Sequence, residues 1–310
     1  QIVVSNGAKQ SLANLAGVLI NKGDEVILPC PYWVSYSDIV KLSEGVPVEV
    51  KTTIETDFKM TPEQLEAAIT PKTKMIWFSS PCNPSGSLYN KEELTALAKV
   101  ILKHDNIYVV SDEIYEHINY TGKPHASMAQ IDGMFDRTIT VNGVSKAFAM
   151  TGWRIGYMAG PEDVIKACDK LQGQFTSGAN SIAQWAAVSA LNEGLAPTRQ
   201  MVATFKRRRD LMIEWLSEIE GFEVDRPKGA FYLFPRVSAL YGKTLKGKRI
   251  ENSLDLAAYI LDEALVSVVP GEAFGMDDHI RISYASSEDE LREAVKRIKE
   301  VISHEFQSAV

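Results

Sequence analysis

From residue 1 to about residue 160, short apolar runs alternate with longer stretches whose apolar residues recur at helical spacing. The runs fall at 2–4, 25–28, 46–50, 74–79, 107–111 and 138–141. Each is short and nearly continuous in apolar residues, as expected of a strand covered on both faces. Two of the intervening stretches open on helix start signals. Thr61-Pro62-Glu63-Gln64 combines a capping box with proline at the first helical position, and Asn90 to Glu93 is a second start. Such alternation predicts an α/β fold, a mostly parallel sheet with helices on both faces. After Gly160 helical patterns dominate over 162–220, and a smaller α+β segment follows from Phe222 onward. Its last helix is expected to start at Ser287-Glu288-Asp289-Glu290, another capping box, with Leu291, Ala294, Val295, Ile298 and Val301 on one apolar face. The domain boundary is expected inside a long helix near residue 205, giving a large domain over 1–205 and a smaller one over 206–310.

Composition narrows the function classes. The chain has 310 residues, 45% hydrophobic and 24% charged, the balance of an ordinary globular protein. A net charge of −7 argues against a nucleic-acid partner, whose footprint would be basic. The densest basic run, Lys206-Arg207-Arg208-Arg209, reads as a solvated helix face. Cys30, Cys82 and Cys168 have no metal-like spacing, so no metal is expected, and their odd number suits a reducing, cytoplasmic location. No apolar run is long enough for a membrane span, so no membrane partner is expected. The chain begins on what reads as a core strand, without an initiator methionine, and an N-terminal part is expected to be missing.

The stretch 141–157 carries the chemistry. A buried strand is expected to end at the turn signal Asn142-Gly143. Lys146 follows among Ala, Phe and Met, and Arg154 comes eight residues later between Trp153 and Ile155. Arg154 has apolar neighbours in sequence, and so does Lys146 apart from Ser145. A lysine in apolar surroundings has a lowered pKa, and its neutral amine can attack a carbonyl to form a Schiff base. The planar fork of an arginine suits a phosphate. Together they describe a site for a phosphorylated aldehyde, although a lone lysine in such a place is more often an ordinary surface residue.

This stretch resembles the lysine signature of the class I and II aminotransferases, fold-type I enzymes that use pyridoxal 5'-phosphate. Gly143, Ser145, Lys146, Arg154, Ile155 and Gly156 fall in register, and the resemblance extends over essentially the whole chain. It makes 1–205 the cofactor-binding domain, and it implies Lys146 as the covalent anchor and proton carrier and Arg154 on the phosphate. Ser5-Asn6-Gly7-Ala8-Lys9-Gln10, a strand-to-helix turn, becomes the phosphate cup through Gly7, Ala8 and Lys9. Trp33, in Cys30-Pro31-Tyr32-Trp33, is placed against the cofactor ring and substrate; by itself it would read as a core aromatic. Asn83, in Ser80-Pro81-Cys82-Asn83-Pro84-Ser85-Gly86, is implied to donate to the ring oxygen and to approach the substrate carboxylate, with Asn83–Pro84 a candidate cis bond. Cys82 stands where family members often have Asn. Asp112, at the end of a strand, is implied to keep the ring nitrogen protonated, and Tyr115 to hydrogen-bond the ring oxygen. Arg281, in an alternating strand pattern, is implied to grip the substrate α-carboxylate in a bidentate fork. Members with Ser at the position of Gly143 use its hydroxyl on the phosphate; here backbone groups or Lys9 would substitute.

The expected reaction is amino transfer between an amino acid and a 2-oxo acid, most consistent with aspartate and 2-oxoglutarate. Lys9 motivates the aspartate reading, because in the aspartate and prephenate aminotransferase subgroup a lysine there is thought to reach the distal carboxylate. The alternative is that Lys9 serves only the phosphate. Prephenate or another amino-acid aminotransferase, a β-lyase of the same fold and an effector-sensing domain of a transcription regulator are the rival readings. A homodimer with shared active sites is implied.

Overall fold

A computed structural model describes residues 1–306, with side chains through Ile302. Seven strands form the main sheet: β1 (Ile2–Ser5), β2 (Glu25–Cys30), β3 (Val46–Lys51), β4 (Thr73–Ser79), β5 (Tyr108–Asp112), β6 (Thr138–Gly143) and β7 (Gly156–Ala159), in the order β1-β7-β6-β5-β4-β2-β3. Strands β3, β2, β4, β5 and β6 are parallel neighbours, while β7 runs antiparallel to both β6 and β1. The sheet is therefore mostly parallel, as the alternation predicts.

The central strands β2, β4 and β5 bury both faces because successive side chains point opposite ways. Val26, Leu28, Met75, Trp77 and Val110 pack with α1 (Ala8–Leu19), α2 (Ser35–Leu42) and α5 (Glu162–Phe175). Their neighbours Ile27, Ile76, Phe78 and Val109 pack on the other side with α3 (Pro62–Ala68) and α4 (Lys91–Ile101). The capping boxes at Thr61 and Asn90 form as read, each side chain accepting from the backbone N–H three residues on.

Helices α6 (Ser181–Glu193) and α7 (Ala196–Ser217) lead to the C-terminal part. There β8 (Tyr232–Leu233), β11 (Val269–Pro270) and β12 (Ile280–Ser283) form an antiparallel sheet in the order β11-β12-β8. A small hairpin, β9 (Thr244–Leu245) with β10 (Lys248–Arg249), and helices α8 (Ser253–Ala264) and α9 (Glu288–Phe306) complete it. Residue 205 lies within α7 with no break in the helix. The capping box at Ser287 forms, and α9 buries Leu291, Val295, Ile298 and Val301.

Four expectations need correction. Asn142 and Gly143 are not a turn; they continue β6, opposite Tyr157 and Gly156. A Cβ on Gly143 would stand 2.8 Å from the Ile155 carbonyl oxygen, so the position is glycine because β7 lies against it. The first strand is at the edge of the sheet, with Ile2 70% exposed. The basic run is not a uniformly solvated face: Arg209 is buried, donates to the Pro227 carbonyl at 2.8 Å and covers the Tyr120 ring. Arg154 is not enclosed by apolar neighbours either; it is exposed, with a left-handed φ of 54°.

Candidate active site

The strands β2, β4, β5 and β6 run parallel, so their carboxyl ends meet at one edge of the sheet. The segments leaving these ends carry Trp33, Asn83, Asp112, Tyr115 and Lys146. With the start of α1 and with Arg281 on β12 they surround a cavity of ≈ 390 Å³. Every residue given a catalytic or binding role from sequence lines it except Gly7, which is buried at the N-cap of α1 just behind. The cleft also takes in Ser145 of the lysine signature, and Tyr36, Thr151 and Tyr232, which sequence reasoning did not single out.

Asp112 forms the floor. It is 4% exposed, accepts from Tyr36 Oη at 2.6 Å on one oxygen and from the Ile114 N–H at 3.2 Å on the other. Burial pushes its pKa up to about 6 against the opposing pull of these two donors. Tyr36 is held for this role by stacking on Trp77, with ring centroids 4.9 Å apart. It lies on the first turn of α2 and also meets the Trp33 ring edge-on, with centroids 5.7 Å apart.

Lys146 is half-buried, between the rings of Tyr115 at 5.8 Å and Phe231 at 5.6 Å. Its pKa is lowered first by burial, then by the cations of Arg281 and Arg154. The amine is thus biased toward the neutral, nucleophilic form.

At the opposite wall, α1 begins at Gly7 with φ 83° and no side-chain cap. The Gln10 N–H turns back to the Gly7 carbonyl at 3.0 Å, whereas among the described residues the N–H groups of Ala8 and Lys9 have no partner, and the helix dipole adds partial positive charge. A Cβ on Gly7 would stand 2.1 Å from an Arg154 guanidinium nitrogen, and one on Gly156 2.2 Å from the Ala8 nitrogen. Both glycines therefore let Arg154 and β7 close up on the turn. Lys9 is exposed, its Nζ 4.7 Å from the Trp33 ring centroid.

Arg281 donates to the Asn83 side-chain oxygen at 2.9 Å and lies over the rings of Tyr232 and Phe274. Its Nε is shielded from solvent without a hydrogen-bond partner. The Asn83–Pro84 bond is cis, as are Cys30–Pro31 and Ser80–Pro81. Among the described residues, Lys9, Lys146, Arg154 and Arg281 form no ion pair with a carboxylate. One buried carboxylate thus faces four open cations. A cleft so charged has a place for a dianionic phosphate, a carboxylate and a basic ring nitrogen. The residues fit pyridoxal phosphate on those grounds: uncapped helix start and Arg154 for phosphate, Lys146 for the aldehyde, Asp112 for the nitrogen.

Comparison with known proteins agrees. The family model of the class I and II aminotransferases matches residues 1–298. A bifunctional aspartate aminotransferase and glutamate/aspartate-prephenate aminotransferase of Petunia hybrida is 49% identical, over 97% of this chain and 64% of that protein. An aspartate/prephenate aminotransferase of Cereibacter sphaeroides is 48% identical, over 96% of this chain and 75% of that protein. The crystal structure of an aspartate aminotransferase from Rhizobium meliloti superposes with a TM-score of 0.94 at 47% identity, covering 97% of this chain and 76% of that one. The chain thus spans between about two thirds and three quarters of the length of these relatives.

Proposed function

Because this chain belongs to the class I and II aminotransferases, we propose that its cleft binds pyridoxal phosphate and transfers an amino group from aspartate to 2-oxoglutarate. The observation that carries the reading is a neutral-biased lysine in one cleft with a buried carboxylate and three further unpaired cations. When bound, the cofactor supplies an electron sink for the electron pair left at the substrate Cα.

The residues of the chain do the rest. Gly7, Ala8, Lys9 and Arg154 would hold the phosphate through backbone N–H groups and two cations. Asp112, kept in place by Tyr36 and the Ile114 N–H, would fix the proton on the ring nitrogen. Trp33 flanks the cleft and would cover the ring. Tyr115 and Asn83 would donate toward the ring oxygen. Lys146 would anchor the aldehyde; freed by the incoming amine, its Nζ would take the proton from Cα and deliver it to the cofactor's aldehyde carbon, across the nitrogen that joins the two. Arg281, with Asn83 beside it, would receive the α-carboxylate in a bidentate fork. Lys9 would meet the distal carboxylate of aspartate. Prephenate is the second acceptor to consider, since both the Petunia and Cereibacter relatives carry it in their names.

A homodimer is part of the same reading. Ile182, Trp185, Val188 and Leu191 are exposed on α6, with Phe175 also exposed nearby in sequence, and clustered apolar side chains in solvent are a mark of a protein–protein contact. Trp185→Glu should then shift sedimentation toward the monomer. The central experiment is absorbance of the pyridoxal-phosphate-loaded protein on adding aspartate. A shift of the visible band to shorter wavelength, reversed by 2-oxoglutarate, is expected. A band unchanged by any amino acid would defeat the aminotransferase reading.

A further inference from the structure

Tyr232 occupies a position that none of the assigned roles uses. Its hydroxyl oxygen lies 2.8 Å from that of Tyr115, and both side chains are buried in the cleft. The two rings meet edge-on, with centroids 5.9 Å apart. The Arg281 guanidinium carbon lies 4.6 Å from the Tyr232 ring centroid. Tyr115, in turn, has the Lys146 amine 5.8 Å from its ring centroid. One side chain therefore touches both the arginine offered to a carboxylate and the tyrosine beside the lysine.

We propose that Tyr232 is a positioning residue that couples these two groups: its hydroxyl donates to Tyr115, its ring seats Arg281, and carboxylate binding on Arg281 is thereby felt at Tyr115. The inference rests on the pyridoxal-phosphate reading of the cleft. The direction of the hydrogen bond follows from where the charge sits. The hydroxyl of the ring facing the guanidinium is the better donor, because the cation favours its phenolate. Burial raises both phenols, and it holds Tyr115 well above its ordinary value. With its oxygen lone pair engaged by Tyr232, Tyr115 keeps its own proton free to donate into the cleft. A substrate carboxylate on Arg281 offsets the cation, which makes Tyr232 a weaker donor and Tyr115 a weaker one in turn.

The test uses the cofactor-loaded protein and the pH titration of its visible band. Tyr232→Phe keeps the ring and removes only the hydroxyl. Its titration midpoint should rise by about half a pH unit, as expected for losing one hydrogen bond that acts through Tyr115. In a Tyr115→Phe background the same substitution should leave the midpoint unmoved. Tyr232→Leu, which also removes the seat of Arg281, should raise KM for an amino-acid substrate about fivefold or more above that of Tyr232→Phe. A wild-type midpoint in Tyr232→Phe, or a shift that persists without the Tyr115 hydroxyl, overturns the coupling and leaves the site reading standing. A wild-type protein with no cofactor band overturns the site reading itself, and the coupling with it.

Discussion

Asp112 and Lys9 line the same cleft, yet the protein treats their charges in opposite ways. Asp112 is 4% exposed and receives hydrogen bonds from Tyr36 and the Ile114 N–H. Lys9 is exposed and, among the described residues, meets only the face of Trp33. Lys146 belongs with the floor, its charge shifted by burial and by two neighbouring arginines. Arg154 belongs with the mouth, exposed and, among the described residues, bonded only to the Thr151 carbonyl. The floor has its protonation set by the fold, as proton chemistry requires. At the mouth, charge is left for ligands to complete. Floor substitutions should therefore act on kcat for every substrate, and mouth substitutions on particular substrates.

The largest effect is expected at Lys146. Lys146→Ala removes both the anchor and the proton carrier, and kcat should fall about 10⁴-fold, the upper range for general acid–base catalysis. Borohydride reduction of the wild-type protein followed by peptide mapping should place the modified residue at Lys146. Modification at any other lysine would break the assignment of the floor.

Asp112→Asn keeps the volume and removes the charge. A loss of about 10²–10³ in kcat, with cofactor still retained, is the scale for deleting one preorganised electrostatic partner. Near-normal kcat would mean that the ring nitrogen does not depend on this carboxylate.

The same carboxylate should show in stability. Its folded pKa of about 6 lies above the ordinary 3.8, so between those values the folded chain binds the extra proton. Stability contributed by this group is therefore greatest at low pH and falls as pH rises through about 4 to 6, by up to about 3 kcal/mol in the cofactor-free protein. Asp112→Asn should lose that dependence: by thermal unfolding it should gain on wild type between pH 4 and 7. Adding pyridoxal phosphate, with a cation opposite Asp112, should close the gap. A difference between the two proteins that stays flat with pH would remove the case for a strained floor.

What was legible in the sequence follows the same division. The six strands read from apolar runs are all present; for β2, β4, β5 and β6 this is because a strand buried on both faces leaves no other pattern, whereas β1 and β3 lie at the sheet edges and are partly exposed. β7 was missed because Tyr157, Met158 and Ala159 stand between Gly156 and Gly160, which read as breaks; it exists because Gly143 and Gly156 let two backbones pass closely. The candidate site residues were named through motif resemblance, and the topology brings all but Gly7 to one cavity. Tyr36 and Tyr232 stayed hidden for a physical reason. Their roles lie in contacts with Asp112, Tyr115 and Arg281 across 76, 117 and 49 positions of chain, and no local periodicity encodes such partners.

The smallest effect separates two uses of one charge at the mouth. Lys9 stands on the first turn of α1, beside the proposed phosphate cup, with its Nζ over Trp33. If it serves a distal carboxylate, Lys9→Ala should lower kcat/KM for aspartate and glutamate by roughly tenfold to a hundredfold, the worth of a hydrogen bond to a charged group. An uncharged amino acid should be nearly unaffected, because its side chain never reaches the ammonium. If Lys9 serves only the phosphate, the loss should be equal for all substrates and should follow weaker cofactor retention. The exposure of Lys9 favours the first outcome: an ammonium that water can reach is free to accept a substrate and release it, whereas the phosphate already has Arg154 and the uncapped helix start. Raising ionic strength adds a second discriminator. An exposed contact is screened within about 10 Å at 0.1 M salt, so the preference of the wild-type protein for dicarboxylates should shrink as salt rises. In Lys9→Ala that salt dependence should be largely gone. A preference indifferent to both salt and Lys9 would place the distal carboxylate elsewhere in the cleft.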